Sequence, residues 1–180
     1  MDSLLAGWES FYVIVGSSAG GLTGLTFVVI ALAADRQKAR EDGIRAFVTP
    51  IILHFGQVLA LAAFLSMPHP SILALSIGFA AAGTLGLAWS GVILANIPRN
   101  SSDYEPVWED WLWNVILPVL AYLLMLAAAV AVWHHTPGAL YTIAVSTLAL
   151  LFIGIHNAWD TVTYHVFVKG QEKKDVEQKQ

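Results

Sequence analysis

The chain has 180 residues, 57% of them hydrophobic and 12% charged, with a mean hydropathy of +0.64. That composition excludes an ordinary water-soluble domain and makes lipid the expected solvent. Nine Lys and Arg against 13 Asp and Glu give a formal net charge of −4, and without a basic patch no nucleic-acid partner is expected. The absence of cysteine excludes a disulfide framework, a thiolate metal site and thiol redox chemistry.

A bilayer core about 30 Å thick is crossed by roughly 20 apolar residues rising about 1.5 Å each, and five stretches meet that length. Ahead of the first lie the acidic Asp2 and Glu9 and no Lys or Arg, so no cleavable signal is expected. The first span, residues 12–34, carries Gly16, Gly20 and Gly24 at four-residue spacing with Gly21 beside them, and Ser17, Ala19 and Thr23 widen the face of small side chains. In lipid, close backbone approach over small residues is a main source of helix association. This face is therefore expected to pack on another helix, of the same chain or of a neighbouring subunit.

A charged loop from Asp35 to Arg45 leads to the second span, residues 47–67. Within it Pro50 removes a backbone donor, and His54 and Gln57 lie three apart on one face. The turn Met67-Pro68-His69-Pro70 opens the third span, residues 71–97. There Gly78, Ala82 and Gly86, with Gly83 adjacent, form a second row of small residues and a candidate partner for the first.

Beyond a polar stretch from Pro98, the fourth span, residues 111–133, opens behind Glu109 and Asp110, whose carboxylates suit the positive end of the helix dipole. Asn114 and Tyr122 extend its polar face inward, and Pro118 between them is expected to kink it. A turn with Pro137 and Gly138 precedes the fifth span, residues 140–167, which carries His156, Asp160 and Tyr164 at four-residue spacing with Asn157, Thr161 and Thr163 alongside. Residues 169–180 form a polar tail of mixed charge.

Arg36, Lys38, Arg40 and Arg45 fall in the first loop, Arg99 in the third, and Lys169, Lys173, Lys174 and Lys179 in the tail. With five helices all nine lie on one face, and basic residues of short loops stay cytoplasmic. The expected fold is an all-α integral membrane protein: one five-helix transmembrane bundle over residues 1–168, N-terminus outside and C-terminus cytoplasmic. Trp8, Tyr12, Trp108, Trp111, Trp133 and Tyr141 sit near span ends as an interfacial aromatic belt does. The expected setting is a bacterial inner membrane, with the lipid bilayer as partner and a homo-oligomer as the assembled form. An odd helix count does not divide into the inverted repeats of many transporters.

The sequence contains no phosphate-cradling glycine loop, no zinc-protease spacing and no nucleophile–base pair, so nothing supports an enzyme. An ionisable side chain inside a span costs on the order of 2.5 to 3.5 kcal/mol on insertion scales and normally faces protein or water. His54, Gln57, Asn114, His156, Asn157, Asp160 and Tyr164 are therefore expected to form a polar intramembrane cluster, with His54 and Asp160 facing one hydrated cavity. An imidazole's ordinary pKa of about 6.5 makes its charge easy to switch near neutral pH.

The first reading of this cluster is a channel or transporter pathway for protons, ions or a small solute. The alternative is a non-transporting adaptor or assembly subunit in which the same residues fix helix packing. A third is haem held between His54 and His156, two imidazoles at similar depth on different helices. At the outer face His69, His134 and His135 offer donors for zinc or copper. No motif names a cofactor or metal.

Overall fold

The computed structural model describes the backbone of residues 5, 7–36, 41–96, 108–136 and 138–163, and their side chains apart from 32–36, 41–49 and 96. Every element among the described residues is helical: α1 (Glu9–Arg36), α2 (Glu41–Leu65), α3 (Ile72–Asn96), α4 (Trp108–Trp133) and α5 (Ala139–Thr163). One turn within α4, Leu112–Ile116, is π-helical. The polar tail and Tyr164 lie outside the described residues.

Four of the five helices, α1, α3, α4 and α5, are long and apolar enough to cross a membrane. Of the fifth, α2, only Pro50–Leu65 is described with its side chains, a shorter apolar stretch, so four of the five expected spans are seen at full length. The backbone of α2 is helical over 25 residues, Glu41–Leu65, with Glu41, Asp42 and Arg45 in its opening turns.

The ends of the helices follow from their turns. Ser71 caps α3, its Oγ accepting the Ala74 N–H at 3.1 Å, as a serine at this position does. At the far end of α4 the Thr136 N–H bonds to Ala131 O at 2.8 Å and the His135 N–H to Val132 O at 3.0 Å. This pair of bonds needs a left-handed residue between helix and turn, and His135 supplies it at φ 53°. Glycine is the usual occupant, because a Cβ makes that conformation strained.

In space the helices run α1, α2, α5, α4, α3, each packed chiefly on the next. Side chains of α2 close the ring back onto α3. Trp8, just before α1, meets Tyr141, at the start of α5, with ring centroids 4.9 Å apart, so these two helices run parallel. The beginning of α1 and the end of α5 therefore lie at opposite ends of the bundle. The exterior is apolar, with Leu85 70% and Phe152 62% exposed, a surface suited to lipid rather than water.

Glycines set the closest approaches. A Cβ at Gly154 of α5 would stand 2.5 Å from Phe55 Cε1 of α2, and one at Gly78 of α3 would stand 2.5 Å from Phe64 Cε1. Gly83 lies beneath Leu126, and Gly86 beneath the ring of Tyr122. The small residues of α3 are thus sockets for side chains of α2 and α4, which corrects the expected pairing of the α3 row with the α1 row.

On α1 the glycines divide. A Cβ at Gly16 would meet Ala62 Cβ of α2 at 2.8 Å, one at Gly20 would reach Leu59 Cδ1 at 3.9 Å, and at Gly21 and Gly24 nothing lies within 4 Å. The face of α1 that packs is instead Tyr12, Val15, Gly16 and Ala19, all buried and spaced as one stripe of a helix.

These contacts set different penalties for adding side chains. Gly154→Ala is expected to lower stability by about 1–3 kcal/mol through overpacking, while Gly24→Leu leaves the melting of the isolated chain in detergent unchanged. Equal shifts for the two variants, measured by circular dichroism, would contradict the socket assignment.

Candidate functional site

The polar residues that reach across the bundle begin with α2. His54 is 2% exposed, and its imidazole lies nearly parallel to the Tyr122 ring of α4 at 22°, with centroids 6.3 Å apart. The same Tyr122 ring covers Gly86 of α3. Three helices therefore meet in one layer, with an imidazole, a phenol ring and a bare backbone in sequence. His54 Nδ1 is buried without a hydrogen-bond partner.

One turn along α2, Gln57 Nε2 donates to the Ala82 carbonyl of α3 at 2.6 Å and lies 3.9 Å from Met125 Sδ of α4. The Ala82 oxygen can accept this bond because a carbonyl has a second lone pair beyond the one used in its helix. Ser76 makes a second bridge, its Oγ donating to Ala129 O of α4 at 2.9 Å. Many other hydroxyls turn inward on their own helix: Thr23 donates to Ala19 O, Thr147 to Ile143 O and Thr161 to Asn157 O. Such bonds satisfy the hydroxyl without joining two helices.

The remaining candidates lie apart. His156 of α5 stacks on Trp113 of α4, centroids 3.7 Å apart and planes 17° from parallel. Trp113 belongs to the π turn, in which the Leu117 N–H reaches back to Leu112 O. Pro118 explains this turn: it has no N–H for the Asn114 carbonyl, and its ring crowds that oxygen in an α-helix. The expected effect of Pro118 thus takes the form of a widened turn before the proline. Asn114 joins no cluster, because its Nδ2 donates to Asp110 O of its own helix at 3.0 Å.

Asn157 is buried and its Nδ2 has no partner. Its level follows from the contact of Phe55 with Gly154: with antiparallel helices and about 1.5 Å rise per residue, His54 and Asn157 lie about 3 Å apart along the bundle axis. Asp160 is exposed, as is its neighbour Trp159. His54 is thus buried and Asp160 exposed, so the cavity expected between them is not seen among the described residues. The two imidazoles proposed for haem each face an aromatic ring of α4, His54 that of Tyr122 and His156 that of Trp113. Among the described residues no three His, Asp or Glu side chains are grouped to hold a metal.

Two cavities are open at the other end of the bundle. One, of about 220 Å³, is lined by Trp8, His135 and Tyr141 among others; the second, of about 340 Å³, lies against Ser76, Trp133 and His134. Sequence reasoning missed Trp113 and Met125 as the partners of His156 and Gln57. It also missed the buried Tyr12 hydroxyl and Trp89 Nε1, which have no hydrogen-bond partner. The chain matches no protein-family model, no curated protein and no solved structure.

The two α2 side chains have opposite consequences for stability. Gln57→Leu, losing an interhelical bond, is expected to cost about 0.6 to 1.7 kcal/mol. His54→Phe keeps the ring against Tyr122 and removes an orphaned buried nitrogen, a group that costs about 1–3 kcal/mol unpaired, so it leaves stability unchanged or raises it. A His54→Phe loss as large as that of Gln57→Leu, in the same detergent melt, would mean that Nδ1 has a partner.

Proposed function

We propose that this chain is a multi-pass membrane protein of the adaptor or assembly class, which holds neighbouring helices rather than conducting a solute. The observation that carries this reading is the closed layer of His54, Tyr122 and Gly86, flanked by Gln57 bonded to the Ala82 carbonyl. Gln57 is spent on a bond between helices, His54 lies against a ring, and Asp160, the carboxylate a relay needs, is on the outside.

In this reading α2 crosses with the other four helices, and the nine basic residues hold their ends of the bundle in the cytoplasm. The N-terminus is then outside and the membrane is a bacterial inner membrane. The part of the α1 row where an added Cβ would meet none of the described residues within 4 Å, Gly21 and Gly24, supplies the contact between copies in a homo-oligomer, since small faces permit close backbone approach.

Two measurements on one preparation test this. Proteoliposomes under a pH gradient are expected to leak protons and potassium no faster than protein-free vesicles. Single-molecule photobleaching of labelled protein is expected to show more than one copy per particle for wild type and one for Gly24→Leu. Wild-type flux that falls in both His54→Ala and Asp160→Asn would instead establish the pathway reading.

A further inference from the structure

The end of the bundle away from His54 carries an aromatic corner that the adaptor reading does not use. Trp8 and Tyr141 meet at 73° with centroids 4.9 Å apart, so they stand as two nearly perpendicular walls. They border the half-open cavity of about 220 Å³, with Ile72 and Val132 as apolar lining and His135 and Thr136 on the α4–α5 turn. The left-handed His135, φ 53°, belongs to the hydrogen-bonded turn that shapes this side. Tyr141 is 70% exposed, so its ring is reachable from outside.

Among the described residues of this end, Asp, Glu, Lys and Arg are represented by Glu9. Glu9 follows Trp8, and none of the described residues of this end is Lys or Arg. Aromatic faces attract a cation within about 6 Å of the ring centroid, apolar walls accept methyl groups, and a carboxylate nearby favours approach of positive charge.

From this juxtaposition we infer that the corner of Trp8 and Tyr141 is a binding site for a quaternary ammonium group. The group comes either from a free cation of the choline type or from the headgroup of a choline lipid in the adjoining leaflet. Both present the same trimethylammonium to the same two rings.

The test uses the full chain in a non-ionic maltoside detergent and saturation-transfer NMR of added choline. Choline methyl signals are expected to receive saturation from the protein, while 3,3-dimethyl-1-butanol, the neutral isostere, receives none. Tyr141→Phe keeps binding, because the ring is retained; Tyr141→Leu weakens it about fivefold or more, the loss of one ring–cation attraction. Tyr141 is exposed, so this variant does not depend on the core remaining packed.

Nanodiscs separate the two sources. Tetramethylammonium binding in phosphatidylglycerol discs that disappears in phosphatidylcholine discs identifies the lipid headgroup as occupant; equal binding in both identifies a free solute. Equal saturation of choline and its neutral isostere, or undiminished binding in both Trp8→Leu and Tyr141→Leu, would overturn the assignment.

Discussion

The structure depends on one constraint of its solvent: between helices immersed in lipid, apolar burial supplies little association energy, so contact quality has to supply it. The chain meets this by seating large side chains on bare backbone. Phe55 lies on Gly154, Phe64 on Gly78 and Tyr122 on Gly86, and each seat joins two helices. The order α1, α2, α5, α4, α3 follows from where those seats are. Tyr122 is the most connected, since its ring also faces His54 and its carbonyl closes over Gly83.

The same economy governs polar groups. Hydroxyls turn back on their own helices, and the bridges of Gln57 and Ser76 end on carbonyls of the next one. Pro118 shows how a local defect is absorbed: the carbonyl it deprives lies in a π turn that also carries Trp113, the ring on which His156 rests. A proline that weakens the helix in sequence thereby sits beside one of the few contacts that His156 makes across to α4. The interior that results is a set of interlocked layers, and this favours a holding role over a conducting one.

Much of the helix pattern was legible in the sequence because it rests on local rules. The apolar runs and the break at the Pro68–Pro70 turn need no knowledge of partners. The second run was read as a span from Phe47, and α2 is indeed one continuous helix across it, Glu41–Leu65. The site was legible only residue by residue. His54 and Gln57 were recognised as buried polar side chains, but four-residue spacing on α5 did not reveal that Asp160 faces outward while Asn157 faces inward. Facing depends on which helix fills each groove, and here it was decided by Phe55 meeting Gly154. The α1 glycines misled for the same reason: spacing identifies a small face and is silent on whether this chain covers it.

The central claim is that ring-on-glycine seats, above all Tyr122 on Gly86, hold the bundle together. A double-mutant cycle on that pair tests it most directly. Gly86→Ala and Tyr122→Ala are each expected to destabilise the chain in detergent unfolding. With the ring gone, the added methyl has room, so the double variant should be more stable than the sum of the two losses by about 1 kcal/mol or more, within the range seen for residues in contact. Losses that simply add, to within about 0.5 kcal/mol, would show that the two residues do not share a seat and would contradict the account.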